Sequence, residues 1–116
     1  NTDGDTEIQV EEAEAFTGTI SCNHRNITDL TGIEAFVNIT ALLANNNQLT
    51  ELNVTKNTAL KFLFCENNQL NSLDVTQNTA LEMMYCNSNK IANLDLTKNT
   101  VLNATHCINS SYNFVP

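Results

Sequence analysis

Glycine, proline and tryptophan are scarce in this chain of 116 residues, which contains three glycines, one proline and no tryptophan. A collagen-like structure is excluded, because it needs glycine at every third position. No apolar run approaches the length of about 18 residues that a membrane-spanning helix needs. Basic residues are also few. The chain has five basic and thirteen acidic residues. The resulting formal net charge of −8 argues against nucleic acid or an anionic membrane as partner. The hydrophobic content of 41% argues against general disorder.

The acidic residues are concentrated in the first part of the chain. Residues 1–14 hold six acids and no base, whereas residues 15–116 hold seven acids and five bases and are nearly neutral. We therefore divide the chain into an acidic N-terminal cap, residues 1–16, and a second part, residues 17–116, that needs a different description. No leader with a basic start and an apolar centre opens the chain, so we expect Asn1 to begin a mature or trimmed protein.

A repeat of 21 residues organises the second part of the chain. Eight columns, six of them apolar and two of them asparagine, keep their character through three consecutive units. In the middle unit these columns are Leu60, Leu63, Cys65, Asn68, Leu70, Leu73, Val75 and Asn78. The first unit is one residue longer and carries Arg25 where the others have asparagine. The units are residues 17–38, 39–59, 60–80, 81–101 and, in part, 102–116.

This pattern resembles the leucine-rich repeat, L-x-x-L-x-L-x-x-N-x-L, with cysteine in the third apolar position. The extended form, in which L-D-V-x-x-N-T follows, is similar to repeats in secreted and surface proteins of bacteria, and the longer first unit resembles the internalin repeat. The resemblance implies a short, right-handed solenoid of the α/β type, mostly β, with a parallel concave sheet of about five strands. It also implies an extracellular or cell-surface location. Since the segments between the strands show no helical period, we expect a turn-like convex side.

Alternation around the cysteine position predicts one buried and one exposed face for each strand. In the middle unit we expect Leu63 to point inward and Phe62 and Phe64 to point outward. The two asparagine columns are expected to satisfy backbone groups at the turns, because a short amide can reach them. A single unit cannot bury its own apolar side, so stability is expected to come from stacking of the units.

The four cysteines share one column, in which Ala44 takes the remaining place. They are Cys22, Cys65, Cys86 and Cys107. Four cysteines in a short, secreted chain would normally suggest disulfides, but we expect the parallel Cβ vectors of a ladder to resist bonding. A zinc site is disfavoured because alternate rungs lie roughly 9.6 Å apart, and because His106 faces the opposite side of its strand from Cys107. We therefore predict free, buried thiols that act as small hydrophobic residues.

The acidic cap is similar to a calcium-binding loop of the EF-hand or dockerin type, D-x-D-x-D-G-x-I-x-x-x-E. The residues in ligand positions are Asn1, Asp3, Asp5, Glu7 and Glu12. Three departures weaken the site: asparagine replaces the first aspartate, Thr6 replaces the glycine that permits a sharp turn, and no incoming helix precedes Asn1 in the sequence given. The resemblance also implies a preceding helix, so the chain looks cut at its N-terminal side. Two alternatives stay open, weak calcium binding and a solvated acidic cap with a short helix over residues 10–16. No other cofactor is expected.

The outward side chains of the strands form the candidate binding surface. They are apolar and aromatic in the middle, whereas the rim is rich in amides. The candidate residues are Leu43, Phe62, Phe64, Glu66, Met83, Tyr85 and His106. An apolar surface with a polar rim is typical of a binding site, and aromatic rings beside amides suit a protein or a glycan. The same rings could instead pair across strands to stabilise the sheet. They could also be covered by another domain or by self-association. Separately, the uncapped ends of the solenoid could associate with a second copy.

Motifs for catalysis do not occur in the sequence. It contains no phosphate-binding loop, no G-x-S-x-G, no H-E-x-x-H and no C-x-x-C. Asp74 and Asp95 share a column and are interpreted as repeat positions on the convex side. We therefore predict a non-enzymatic extracellular recognition module that binds a protein or a glycan. The alternative is a structural spacer or adhesin segment of a larger surface protein, whose concave patch packs internally or against a second copy.

Overall fold

The computed structural model describes residues 10–106 and 113–115. Each strand in these ranges is three residues long, because one strand occupies only a small part of each repeat. The elements are helix α1 Val10–Ala15, strand β1 Thr19–Ser21, a 3₁₀ helix Ile33–Ala35, and strands β2 Ala41–Leu43, β3 Phe62–Phe64, β4 Met83–Tyr85, β5 Asn93–Asp95, β6 Ala104–His106 and β7 Asn113–Val115.

Five of the strands form one parallel sheet in the order β1-β2-β3-β4-β6. Corresponding residues of successive repeats lie side by side: Leu42 pairs with Leu63, Leu63 with Met84, and Met84 with Thr105. Side chains alternate along a strand, so this register keeps all equivalent residues on the same side of the sheet. The prediction of a mostly β solenoid with a parallel sheet of about five strands is confirmed.

The segments that return from one strand to the next are turn-like, with one difference from the prediction. Turns occupy residues 55–59 and 76–80, but β5 forms a second, two-stranded parallel sheet with β7, in which Leu94 lies opposite Phe114. Leu73 holds the same repeat column as Leu94 and lies outside any strand. The difference arises because β7 supplies backbone groups that pair with β5 at this one column.

The hydrophobic core lies between the five-stranded sheet and the convex turns. Inward residues of the sheet such as Leu42, Leu63 and Met84 are fully buried, and so are Val54 and Val75. The other large, fully buried side chains are Ile39, Leu49, Leu60, Leu70, Leu81, Ile91 and Leu94. Burial of one such side chain contributes about 1.5–3 kcal/mol. A repeat buries these side chains only through contact with its neighbours. Stacking of the units therefore holds the solenoid together.

Helix α1 packs against the 3₁₀ helix of the first repeat. Ala13 is buried, and alanine favours the helix in which it lies. Phe16 meets Phe36 edge to face with ring centroids 6.5 Å apart. Asn38 Nδ2 donates a hydrogen bond of 2.7 Å to the carbonyl of Glu14. The helix therefore covers part of the first repeat with both apolar and polar contacts.

Two ladders of buried asparagine link the repeats, as the sequence predicts. The first ladder consists of Asn47, Asn68 and Asn89. Asn68 Nδ2 donates to the carbonyls of Ala44 and Cys65, both at 3.0 Å, and its Oδ1 accepts from the backbone N–H of Leu49 at 3.0 Å. One amide thus bridges two repeats. The second ladder makes equivalent bonds from Nδ2 to backbone carbonyls at Asn57, Asn78 and Asn99.

The cysteine column contains both free thiols and a disulfide. Cys22 and Cys65 are free, and burial, reinforced by the charge of Glu66, raises the pKa of the Cys65 thiol to about 12. Cys86 is disulfide-bonded, so the prediction of free thiols is wrong for this residue. Cys107 lies outside the described residues. Neighbouring rungs of a parallel sheet are about 4.8 Å apart, which lies within the Cα separations of disulfides. Ladder geometry therefore does not prevent a bond.

Candidate recognition surface

The outward side chains of the three central strands lie together on one surface, which we call the concave face. It consists of Leu43, Phe62, Phe64, Met83 and Tyr85, all of them partly exposed. Strands β3 and β4 each bury their central residue and leave the two flanking residues accessible. The alternation along the strands thus brings five of the candidate site residues to one surface.

The parallel register arranges the concave face in two rows. Leu43, Phe64 and Tyr85 form one row, and Phe62 and Met83 form the other. The rings of Phe64 and Tyr85 are stacked, with centroids 4.6 Å apart and planes inclined by 13°. Because the rings are nearly parallel, each covers one face of the other, and the pair forms one continuous apolar unit instead of two separate side chains.

On the same side of the sheet, the side chains of the first strand are small and polar. Thr19 and Ser21 of β1 are exposed, and the Ser21 hydroxyl donates to Asn23 Oδ1 at 2.9 Å. At the other side, β6 places the backbone of His106 opposite Tyr85. The side chain of His106 lies outside the described part of the chain, so its place on the surface stays a prediction. The apolar area is therefore centred on β3 and β4.

A ladder of polar side chains follows the strands along one edge of the concave face. Asn67 Nδ2 donates to Asn46 Oδ1 at 2.9 Å, and Asn46 Nδ2 lies 3.2 Å from His24 Nε2. These three residues and Ser88 all have φ between 57° and 59°. Asparagine tolerates this left-handed conformation better than most residues. The sequence predicts an amide-rich rim. The hydrogen-bonded ladder was not predicted, although asparagine recurs at a fixed period after the strands and indicates it.

Among the described side chains of the concave face and its rim, Glu66 is the one carboxylate. It is partly buried and comes two residues after Phe64, so both project to the same side of the chain. Its Oε1 atom is buried and has no hydrogen-bond partner among the described residues. A buried carboxylate oxygen without a donor is unfavourable, because it has lost water and gained no replacement. Glu66 therefore lies beside the aromatic stack with part of its bonding capacity unused.

The aspartates on the opposite side of the repeat have a structural role. Asp74 Oδ1 accepts from the backbone N–H of Thr76 at 2.9 Å and from its hydroxyl at 2.6 Å. Asp95 makes the same pair of bonds to Thr97. The side-chain bond and then the backbone bond lower the pKa of each carboxyl, since both stabilise the charged form. Their interpretation as convex-side repeat positions agrees with this geometry.

A shallow groove of about 430 Å³ lies beside these turns. Its acidic lining residues are Asp29, Glu34, Glu51 and Asp74. Across residues 10–106 and 113–115, no three histidine, cysteine, aspartate or glutamate side chains are grouped so that they could hold a metal ion. The groove is an acidic surface feature of the first three repeats.

The residues of the predicted calcium loop fall almost entirely outside the structural description. Asn1, Asp3, Asp5 and Glu7 are beyond the described residues, and only Glu12 lies within them. Glu12 is partly buried in α1. The calcium site therefore stays a prediction.

Comparison with known proteins identifies similar solved structures. No protein-family model and no curated protein sequence matches the chain. The functional domain of InlJ from Listeria monocytogenes, which includes a cysteine ladder, has a TM-score of 0.79 and 31% identity, over 88% of this chain and 22% of that chain. Internalin C2 from Listeria monocytogenes strain 4b F2365 has a TM-score of 0.79 and 23% identity, over 90% of this chain and 46% of that chain. The leucine-rich repeat domain of APL1B has a TM-score of 0.71 and 17% identity, over 79% and 31%.

These similarities agree with the geometry described above. The internalin C2 and APL1B structures match in fold, and InlJ matches in sequence as well and has a cysteine ladder of its own. The chain spans between 22% and 46% of the lengths of these three structures. Within the described ranges, no helix has the length and apolar character of a membrane span. The chain is a leucine-rich repeat protein of the internalin type.

Proposed function

We propose that this protein is a non-enzymatic recognition module that binds a partner protein on the concave face. The leucine-rich repeat and internalin-like fold is typical of protein-interaction modules. The observation that carries the more specific proposal is the partly exposed Phe64–Tyr85 stack, with centroids 4.6 Å apart, at the centre of an apolar surface. Aromatic residues in the middle of a patch contribute most to the affinity of protein interfaces.

The scaffold supports this role because it holds the side chains in place before a partner arrives. Leu63 and Met84, which alternate with the exposed residues, are fully buried. The backbone beneath the concave face is fixed on both sides by parallel pairing. A rigid surface loses little conformational entropy on binding, so more of the contact energy appears as affinity. The polar ladder of His24, Asn46 and Asn67 supplies the hydrogen-bonding rim that interfaces usually have.

We also propose an extracellular or cell-surface location. The likeness to an internalin supports it, and so does the disulfide at Cys86, because disulfides persist mainly in oxidising compartments. No cofactor is assigned to recognition. The acidic cap is proposed to bind calcium weakly and to act on folding of the N-terminal end.

The test is a binding screen of the chain against arrays of extracellular proteins and of glycans. The variant Phe64→Ala/Tyr85→Ala is screened beside it, and Val101→Ala serves as control because Val101 is an exposed apolar residue away from the concave face. We expect a protein ligand whose binding falls by a factor of roughly 30 or more in the double variant, since two central aromatic contacts are lost. The control should bind like the parent chain.

Other outcomes would contradict the proposal. A glycan ligand lost in the double variant would keep the concave face but change the class of ligand. Binding that survives the double variant would place recognition on another surface. A chain that binds neither array, and whose double variant changes oligomeric state, would favour the spacer or adhesin function instead.

A further inference from the structure

The polar ladder beside the concave face begins at a histidine whose ring fixes its direction. Asn67 Nδ2 donates to Asn46 Oδ1 at 2.9 Å, so Asn46 Nδ2 is the atom that faces His24 Nε2, at 3.2 Å. An amide nitrogen donates and does not accept, so the ring nitrogen must accept. The described direction of the ladder therefore requires a neutral His24 with its proton on Nδ1.

A charged His24 is incompatible with this direction. Histidine is the side chain whose charge ordinarily changes between pH 5 and 8, and both of its ring nitrogens then carry a hydrogen. The Nε2–H group would oppose the Nδ2 group of Asn46. The conflict is removed if the Asn46 amide turns by 180° and accepts from the ring. Asn46 then offers Nδ2 to Asn67, whose amide must turn as well, so both hydrogen bonds are reversed.

The backbone of the ladder allows the amides to turn without moving the repeats. His24, Asn46 and Asn67 have φ between 57° and 59°, and the backbone N–H of each donates to a carbonyl of the next repeat at 2.9–3.1 Å. These bonds do not involve the side-chain amides, so only side-chain torsions change. The other charged side chains in these three turns are Arg25 and Glu66.

Resting on the proposed function, we infer that protonation of His24 reverses the polar ladder and thereby regulates binding at the concave face. Asn67 is exposed at the far end, roughly 9.6 Å from His24 on the strand spacing. Its Oδ1 accepts no hydrogen bond within the described residues, so a partner's donor can use it. After reversal Asn67 presents Nδ2 instead. A ligand matched to the acceptor at neutral pH therefore loses one hydrogen bond in acid.

The first experiment follows the side-chain amides of Asn46 and Asn67 by NMR from pH 8 to pH 5.5. Both should shift with the same midpoint as the His24 ring. In His24→Asn, which repeats the residue of the next two units, neither should shift with this midpoint. In Asn46→Ser, which copies Ser88 of the fourth unit, His24 should titrate while Asn67 stays unchanged, because the short hydroxyl breaks the ladder.

Two further variants identify the titrating group. His106→Asn removes the other histidine of the chain, and Glu66→Gln removes the carboxylate beside Asn67. Both variants should keep the pH-dependent shifts of Asn46 and Asn67. Loss of the shifts in either variant would overturn the inference, because another group would then control the ladder. A shift of Asn46 alone would also overturn it, since the amide would then have turned to water without reversing the ladder.

The second experiment measures affinity for a protein selected in the array screen at neutral pH. From pH 7.5 to pH 5.5 the affinity of the parent chain should fall by roughly three- to tenfold, the effect of one hydrogen bond, and that of His24→Asn should fall less. An equal fall in both chains would overturn the inference, while loss of binding in Phe64→Ala/Tyr85→Ala would still support the concave face. If the double variant keeps its affinity, the proposed function itself is wrong, and regulation of that face is wrong with it.

Discussion

Phe64 and Tyr85 occupy equivalent positions of successive repeats, and their rings stack at 4.6 Å with an interplanar angle of 13°. Both remain partly exposed, whereas Leu63 between the outward residues of β3 is fully buried. The stack therefore combines a cross-strand contact with an accessible surface. Its contribution to folding can be separated from its contribution to binding.

We predict that Phe64→Ala/Tyr85→Ala lowers the free energy of unfolding by about 1–2 kcal/mol, the size of an aromatic cross-strand contact. Leu63→Ala, the matched core variant, should lower it by about 2–5 kcal/mol, because it leaves a cavity. Urea unfolding of the three chains measures both values. If the double variant is destabilised more than Leu63→Ala, the stack serves mainly to hold the sheet together.

Asp74 and Asn53 hold the same repeat column and make the same pair of bonds to a threonine two residues later. Asp74→Asn should therefore preserve the turn, while Asp74→Ala should cost about 1 kcal/mol through loss of these hydrogen bonds. Thermal unfolding at neutral pH compares the two variants. Equal destabilisation of both would show that the charge, and not the acceptor oxygen, holds the turn.

Acid sensitivity follows from the lowered pKa of Asp29, Asp74 and Asp95. A carboxyl whose pKa is lowered by folding stabilises the protein above its ordinary pKa, and this contribution is lost as pH falls through the folded value. We expect melting temperature to decrease with pH below the ordinary aspartate pKa, and to decrease less steeply in Asp74→Asn. A profile unchanged by that substitution would contradict the role of Asp74.

The cysteine column allows a paired test of thiol and disulfide. Cys65 and Cys86 are both fully buried, and Ala44 fills the equivalent place in the second repeat. We predict that Cys65→Ala costs about 1 kcal/mol for lost packing, whereas Cys86→Ala costs about 2–4 kcal/mol more because it removes a disulfide. Urea unfolding under oxidising and reducing conditions makes the comparison. The difference between the variants should disappear under reduction, and its persistence would contradict the account.

Thiol labelling gives an independent check of the same column. The Cys65 thiol is buried with a pKa of about 12, so it should not react with a thiol reagent at pH 8 until the protein unfolds. Rapid labelling of Cys65 in the native chain would show that the repeats open locally or that the thiol is accessible.

Calcium binding by the acidic cap predicts a higher melting temperature in millimolar calcium. Glu12→Gln should remove this increase, because residue 12 supplies the two-oxygen ligand in the loop that the sequence resembles. Glu14→Gln, an exposed position in the same helix, is the control and should retain it. If calcium does not change the melting temperature of the parent chain or of either variant, the solvated acidic cap is the correct description.

The period of the sequence was sufficient to predict the five strands of the main sheet, their parallel register and their buried and exposed faces. This succeeded because each repeat solves the same packing problem, so Leu63 and Met84 must occupy equivalent places. Buried asparagines such as Asn68 were also predictable, since a polar residue at a fixed period inside a core needs backbone partners.

Other features depend on the three-dimensional neighbourhood. The pairing of β5 with β7 needs a partner strand that the repeat pattern does not specify. The disulfide at Cys86 distinguishes it from Cys65, although both occupy the same column. The stacking of Phe64 on Tyr85 and the buried Oε1 of Glu66 depend on side-chain rotamers, which a sequence period leaves undetermined.

The chain has two methionines, Met83 and Met84, and they provide the most direct test of recognition on the concave face. Met83 is partly exposed on that face, whereas Met84 is fully buried in the core beneath it. The measurement is NMR of ¹³C-methyl-labelled methionine while the protein selected by the array screen is added. The account predicts a large shift of the Met83 methyl and little change at Met84. Saturation of binding with no shift at Met83 would contradict it.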